Sequence, residues 1–181
     1  MNVEVLSSEY FSNHHYFTAR KDAYQLPSGK KVDPYFVVEM PSSVTAMAIT
    51  QNNEVVIIEQ YRHPINQSIL ELPGGFIENG EDPSVAVKRE LLEETGYDFE
   101  QIEWLATTYG NPGVLNGVTY LYLATGGVKV SKQTLDANEE ITIQLKSLEE
   151  TRQLLRDSKI KQSMHALCLF HGFSKLDQLK K

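Results

Sequence analysis

Residues Gly75 to Tyr97 read GFIENGEDPSVAVKRELLEETGY, and this stretch carries both the start and the stop signal of one helix. Asp82 is a good N-cap, Pro83 suits the first helical position, and Gly96 supplies the left-handed residue that commonly ends a helix. Glu90, Glu93 and Glu94 fall near the C-terminal end at spacings of three and four. That places like charges on one face with Cβ atoms roughly 5 to 6 Å apart. The helix dipole sharpens the conflict, because carboxylates crowded at a C-terminal end cost roughly 0.3 to 1 kcal/mol each. Only Lys88 and Arg89 offset it locally. Three glutamates alone read most simply as a solvated helix face. Oxygen-only anionic clusters are also what hard divalent cations bind, and sequences tend to tolerate such local conflict at sites.

Outward from this helix, 181 residues with 41% hydrophobic content and 23% charge suit one well-buried core. A net charge of -7 argues against nucleic-acid polymers and anionic membranes as partners, which need basic patches. The lone Cys168 excludes an internal disulfide, and a reducing cytoplasm fits. MNVEVLSSEYF has no basic start followed by an apolar run, so the expectation is a soluble, unprocessed protein.

In chain order, the first 34 residues predict two short strands, Tyr16 to Tyr24 and Lys31 to Met40, around a turn at Pro27-Ser28-Gly29. Val44 to Thr50 and Glu54 to Tyr61 predict a hairpin about Gln51-Asn52-Asn53. The apolar run Val55 to Ile58 implies a strand covered on both faces. A short strand, Ser68 to Leu72, leads to Pro73-Gly74-Gly75, where backbone can approach a ligand closely. Phe99 to Thr107 is expected as a strand with Ile102, Trp104 and Ala106 alternating onto one face, and Val118 to Ala124 as another buried strand. Tyr109 to Gly113 is a turn-rich loop, and Thr125 to Asn138 shows no periodicity. Ile141, Ile143 and Leu145 alternate with Thr142, Gln144 and Lys146, which predicts a strand with one buried and one wet face. Ser147 to Glu150 is a capping box for a helix to about Asp157, and a last helix, about Lys161 to Phe170, should stop at Gly172. This order predicts an α/β fold, an α/β/α sandwich around a mixed β-sheet.

Gly75, Glu81, Arg89, Glu90, Glu93, Glu94 and Gly96 match every fixed letter of G-x5-E-x7-R-E-U-x-E-E-x-G-U, where U is bulky and aliphatic. Seven such coincidences arise by chance on the order of once in 10⁸ start points. The last U position is Tyr97, which still offers a large apolar face. The segment therefore resembles the Nudix box, and the chain resembles the Nudix hydrolases, whose fold is such a sandwich and whose usual reaction is Mg²⁺-dependent hydrolysis of a substituted diphosphate. Glu59-Gln60-Tyr61-Arg62, Glu71-Leu72-Pro73-Gly74-Gly75 and Pro112 are similar to the ADP-ribose and nucleotide-sugar pyrophosphatase branch. That resemblance implies a small N-terminal β-rich arm, residues 1–40, which forms a homodimer, ahead of a Nudix domain over residues 41–181. It implies metal binding by Glu90 and Glu94, with Glu93 sharing a metal or completing its shell and the Gly74 carbonyl adding a ligand. Mg²⁺ is the expected cofactor, with Mn²⁺ an alternative. Arg89 would orient the carboxylates, Glu81 would support them, and Arg62 would contact phosphate, with Glu71 beside it in the substrate-binding set. Glu139 and Glu140 are both candidates for the base or a third-metal ligand.

Such chemistry needs negative charge neutralised and a water activated, hence metals on a rigid helix and a carboxylate on a loop. For stacking of a nucleobase the candidates are Tyr16, Phe17, Tyr35, Phe36 and Tyr109. The expected substrate is a small nucleoside diphosphate sugar, either ADP-ribose or a hexose nucleotide such as GDP-mannose. Alternatives are a dinucleoside polyphosphate or RNA 5′ end, or a non-catalytic nucleotide-sensing domain.

Overall fold

A computed structural model describes residues 3–14 and 17–179 of the chain. By internal contacts it divides into two units, one of residues 1–41 and 109–118, the other of residues 42–108 and 119–181.

The first unit is built on strands β1 (Glu4–His14), β2 (Phe17–Gln25) and β3 (Lys31–Glu39), antiparallel in that order. Gly29, at φ +84°, makes the β2–β3 turn expected at Pro27-Ser28-Gly29. The first residue of the expected strand Tyr16 to Tyr24 lies outside the described residues. β1 was not anticipated, and the reason is visible in its exposure: Ser12 is its one half-buried residue and the rest are exposed. A strand with no buried face leaves no alternation to read. Within the same unit the Tyr35 hydroxyl donates to the Gly113 carbonyl at 2.6 Å, and the Met40 N–H donates to Asn116 Oδ1 at 2.9 Å.

The second unit is a mixed sheet covered on both sides. Its strands are β4 (Ser43–Thr50), β5 (Glu54–Arg62), β6 (Gln67–Glu71), β7 (Tyr97–Asp98), β8 (Gln101–Tyr109), β9 (Val118–Lys129) and β10 (Ile141–Ser147). The order is β10-β5-β4-β9-β7, with β6 on β5 and β8 on β9. β4 and β9 run parallel, whereas β5 pairs antiparallel with β4, β6 and β10. Helices α1 (Pro83–Thr95), α2 (Leu148–Arg156) and α3 (Ser163–Gln178) complete it. Alternation along the central strands sorts the core in two. Met47, Ile49, Val55, Ile57, Leu121 and Leu123 pack with Cys168, Leu169 and Phe173 of α3. Val44, Ala46, Ala48, Val56, Tyr122 and Ala124 pack with Ala86, Val87 and Leu91 of α1. Burying each such Leu, Ile or Val contributes roughly 1.5 to 3 kcal/mol. The expected sandwich and the two-sided burial of Val55 to Ile58 both hold.

Four local readings need correction. α3 does not stop at Gly172 but runs through it to Gln178. Glycine is there for close packing, since a Cβ would lie 2.4 Å from Met47 Sδ. Trp104 is 57% exposed, whereas Ile102, Leu105 and Ala106 meet the core. Leu145 is 39% exposed, so β10 does not keep a clean buried face. β9 continues to Lys129 because Val128 and Lys129 pair with β7, which shortens the aperiodic loop to residues 130–140. Among the described residues no helix is long and apolar enough to cross a membrane.

Candidate active site

α1 forms where the sequence signals it. The Asp82 carboxylate accepts from the Ser84 N–H at 2.8 Å, and Gly96, at φ +67°, donates its N–H to the Leu92 carbonyl. With Ala86, Val87 and Leu91 held in the core, helical spacing brings Glu90 and Glu94 to the buried margin of the same face. The Glu94 residue is 4% exposed, the Glu90 side chain 13% and the Glu93 side chain 42%.

Arg89 gathers the remaining acids. Its Nε and Nη2 each donate to Glu81 at 2.9 Å, its Nη1 reaches Glu90 at 2.9 Å and Glu93 at 3.0 Å, and its Nη2 also meets the Phe76 carbonyl. A fork of planar donors suits this role better than a lysine. The Arg89 guanidinium holds the Glu81 carboxyl below its usual range. Burial pushes Glu90 up to about 7, opposed by Arg89 and reinforced by the charges of Glu93 and Glu139. Burial also raises Glu94 well above the usual carboxylate range, opposed by a hydrogen bond from Gly74 and reinforced by Glu90 and Glu139.

The Pro73-Gly74-Gly75 turn lies against β4, where the Pro73 and Gly75 carbonyls accept from the Ala46 and Val44 N–H groups. Gly74 has φ +150°, and a Cβ there would sit 2.2 Å from the Val44 carbonyl oxygen, so only glycine fits. Its N–H donates to Glu94 Oε2 at 2.8 Å. At Gly75 a Cβ would lie 2.6 Å from the Glu90 carboxylate.

Arg62 ends β5, and its Nε and Nη2 make a forked pair with Glu71 of β6 at 2.9 and 2.6 Å. Glu71 is 1% exposed, whereas the Arg62 side chain is 44% exposed. Glu71 therefore orients the Arg62 guanidinium and is not itself presented to solvent. Beneath it, His165 Nδ1 accepts from the Leu72 N–H at 3.1 Å, and burial lowers the imidazole to about 4, so it stays neutral.

The loop of residues 130–140 brings in the last acid. Its terminal residue precedes Ile141, which pairs with Gln60 two positions from Arg62. Glu139 is half-buried and accepts from the Asp136 N–H at 3.2 Å. Its charge bears on Glu90, Glu94 and Arg62 alike. Glu140 is exposed.

The second unit thus assembles Arg62, Glu71, Gly74, Arg89, Glu90, Glu93, Glu94 and Glu139. Of the aromatic candidates, Phe17, Tyr35, Phe36 and Tyr109 lie in the first unit, as does Pro112, and Tyr16 lies outside the described residues. Phe17, Phe36 and Tyr109 are 52%, 54% and 54% exposed, and Phe36 packs edge-on against Phe11. Tyr35 packs edge-on against Tyr24.

Among the described residues no three His, Cys, Asp or Glu side chains already converge as a metal cage. Glu90 and Glu93 are turned toward Arg89, and Glu94 toward the Gly74 N–H. The donor set nonetheless fits a hard divalent cation, because it consists of carboxylates that are desolvated and mutually repelled.

Not anticipated from the sequence were Gln133 and Thr134, which bind the Glu94 and Glu93 carbonyls. Their partners are main-chain atoms, so residue types gave no signal.

The profile of the NUDIX domain matches residues 40–168, and that of the nucleoside diphosphate sugar hydrolase N-terminal domain matches residues 3–38. The chain is 39% identical over 140 residues to a methanol dehydrogenase activator of Bacillus methanolicus, covering 77% of this chain and 75% of that protein. It is 30% identical over 137 residues to the ADP-ribose pyrophosphatase of Bacillus subtilis (strain 168), covering 75% and 74%. In fold it resembles a crystal structure of an ADP compounds hydrolase, with a TM-score of 0.86 at 20% identity over 99% of this chain and 96% of that one. The matched domain takes in the acidic helix, the glycine turn and the Arg62 strand together, and the chain belongs to the Nudix family.

Proposed function

We propose that the chain is a divalent-metal-dependent pyrophosphatase that cuts the diphosphate of a nucleoside diphosphate sugar, ADP-ribose or a hexose nucleotide such as GDP-mannose. The observation that carries this reading is the pair of carboxylates, Glu94 buried and Glu90 nearly so, held on a packed helix in a domain that also carries an arginine at a strand end. Relatives named ADP-ribose pyrophosphatase and, at 30% identity over 133 residues, GDP-mannose pyrophosphatase support the substrate class.

Glu90, Glu94, Glu93 and the Gly74 carbonyl would hold the cation, Mg²⁺ or in its place Mn²⁺. When bound, it neutralises phosphate charge and lowers the pKa of the attacking water. Arg89 keeps Glu90 and Glu93 in position from one side. Arg62, with Nε and Nη2 committed to Glu71, has Nη1 to offer to a phosphate oxygen. Glu139 takes the proton of the attacking water; the water oxygen bonds to one phosphorus and the bridging P–O bond breaks. The products are a nucleoside monophosphate and a sugar phosphate. Glu140, exposed and next in sequence, is the weaker candidate for this role.

A homodimer is part of this reading. β1 exposes Val5, Leu6, Tyr10 and Phe11 at 44% or more, apolar side chains that a second copy would cover. The exposed rings of Phe17, Phe36 and Tyr109, with Tyr35, are the candidates for base stacking. Assays of nucleotide sugars with Mg²⁺, run in ¹⁸O water, test the function. Release of monophosphate with label in one product is the expected result. Binding of ADP-ribose without any release would favour a sensing domain instead.

A further inference from the structure

We propose that Gln133 is a positioning residue that staples the base of the acidic loop and so sets where Glu139 stands relative to the carboxylates of α1. The inference deepens the pyrophosphatase reading and rests on it. Gln133 Nε2 donates to the Glu94 carbonyl at 2.8 Å and to the Ile141 carbonyl at 3.1 Å. One carbonyl lies on α1, against which the loop rests, and the other at the start of β10, into which it runs. Glu94 supplies the most deeply buried acid of the site, and Ile141 is the residue after Glu140, where β10 begins. One amide group therefore closes the segment Thr134 to Glu140 at both ends.

Among the described residues, the hydrogen bonds from the loop to its neighbours gather at this base. The Thr134 N–H donates to the Glu93 carbonyl at 2.8 Å, and the Val130 and Ser131 N–H groups donate to the Gly96 carbonyl. These bonds also satisfy carbonyls that the last turn of any helix leaves without an intrahelical donor. Beyond Thr134 the pattern changes. Glu139 N–H donates to the Asp136 carbonyl at 3.0 Å and Asp136 N–H returns to Glu139 Oε2, so the tip is a self-contained turn standing on the staple. Side-chain chemistry makes glutamine specific here. Its amide nitrogen carries two N–H donors for two carbonyls, whereas a glutamate of the same shape has only acceptors when ionised.

The test uses the full chain with Gln133→Ala and, as a variant that keeps packing and shape, Gln133→Glu. With ADP-ribose and Mg²⁺, kcat should fall roughly 10- to 100-fold in both, the scale of a misplaced reacting group, with KM changed less than about 3-fold. Amide exchange at Thr134, Asp136 and Glu139 should quicken while that of Ala86 to Leu91 holds. In a Glu139→Gln background, adding Gln133→Ala should cost less than about 3-fold more, because both changes remove one function. An unchanged kcat, or losses that multiply in the double variant, overturns the proposal, even if exchange quickens. Unchanged exchange overturns it as well. These outcomes are separable from failure of the function itself. A wild-type chain that turns over no nucleotide sugar removes the pyrophosphatase reading, whereas an active wild type with equally active Gln133 variants removes only this inference.

Discussion

Helix α1 and the loop of residues 130–140 both bring carboxylates to the site, but they are held in opposite ways. α1 is fixed through its side chains, with Ala86, Val87 and Leu91 in the core and Arg89 forking among Glu81, Glu90 and Glu93. The loop is fixed at its base by donation to main-chain carbonyls, from its own N–H groups and from the Gln133 side chain, and its tip bonds to itself. Glu90 and Glu94 are consequently largely desolvated on a packed helix, as the proposed metal ligands should be. The loop acid is half-exposed on a turn, where it can adjust after substrate arrives. In the proposed function the contrast is between preorganised ligands and an adjustable base, and it can be broken at either end.

The largest effect should follow from Glu94→Gln. A Gln oxygen still accepts from the Gly74 N–H, so the fold and the turn survive. The anionic donor does not, and kcat/KM should drop about 1,000-fold, equivalent to about 4 kcal/mol. Steady-state kinetics and a melting curve on the same sample check this. An active variant would remove Glu94 from the metal set.

A second effect isolates desolvation from chemistry. Burial raises Glu90 from an ordinary value of 4.5 to about 7 in the folded chain without metal. The folded state therefore binds its proton more tightly than the unfolded state does. The resulting stability is fully present below about pH 4.5 and is lost as pH rises through about 7, by up to about 3 kcal/mol. In EDTA the melting temperature should decline across that window. Excess Mg²⁺ should abolish the decline, because a bound cation favours the ionised carboxylate. A flat profile in EDTA would mean that the helix acids are better solvated than their burial indicates.

At the loop, Glu139→Gln should lower kcat about 100-fold, the lower part of the range for general-base catalysis, while leaving the melting temperature unchanged in EDTA. A KM effect without a kcat effect would make Glu139 a binding group instead. Comparing this variant with Glu94→Gln at several Mg²⁺ concentrations sharpens the distinction. Extra metal should compensate neither loss in kcat, but only the helix variant should show weakened Mg²⁺ binding.

The same contrast governs what could be read from residues alone. α1 was legible down to its caps because Asp82, Pro83 and Gly96 signal through local chemistry, and the glutamates through spacing. The two-sided burial of Val55 to Ile58 was legible because apolar composition reports burial directly. Gly172 misled, since a glycine that ends a helix and one that admits Met47 look alike in sequence. β1 was missed because it has no buried face to impose a period. The pairing of Arg62 with Glu71 joins β5 to β6, and that register is a tertiary fact. The loop was readable as acidic but not as anchored, because Gln133 and Thr134 bind carbonyls that every residue type possesses.

The smallest effect separates two adjacent acids. Glu140 directly precedes β10, is exposed, and follows Glu139, whose charge bears on Glu90, Glu94 and Arg62. Neighbouring side chains in an extended segment point to opposite sides, so a one-residue step at the mouth of a strand carries a carboxylate away from the face its neighbour serves. Glu140→Gln should therefore change kcat less than about 2-fold, within the scatter of ordinary surface substitutions. Its only expected signature is a slightly weaker local negative field, seen as a modest change in the salt dependence of KM for an anionic substrate. If the order reverses, with Glu140→Gln crippling and Glu139→Gln mild, then the loop rearranges by one residue on binding. The staple at Gln133 would then be holding a resting state and not the working one.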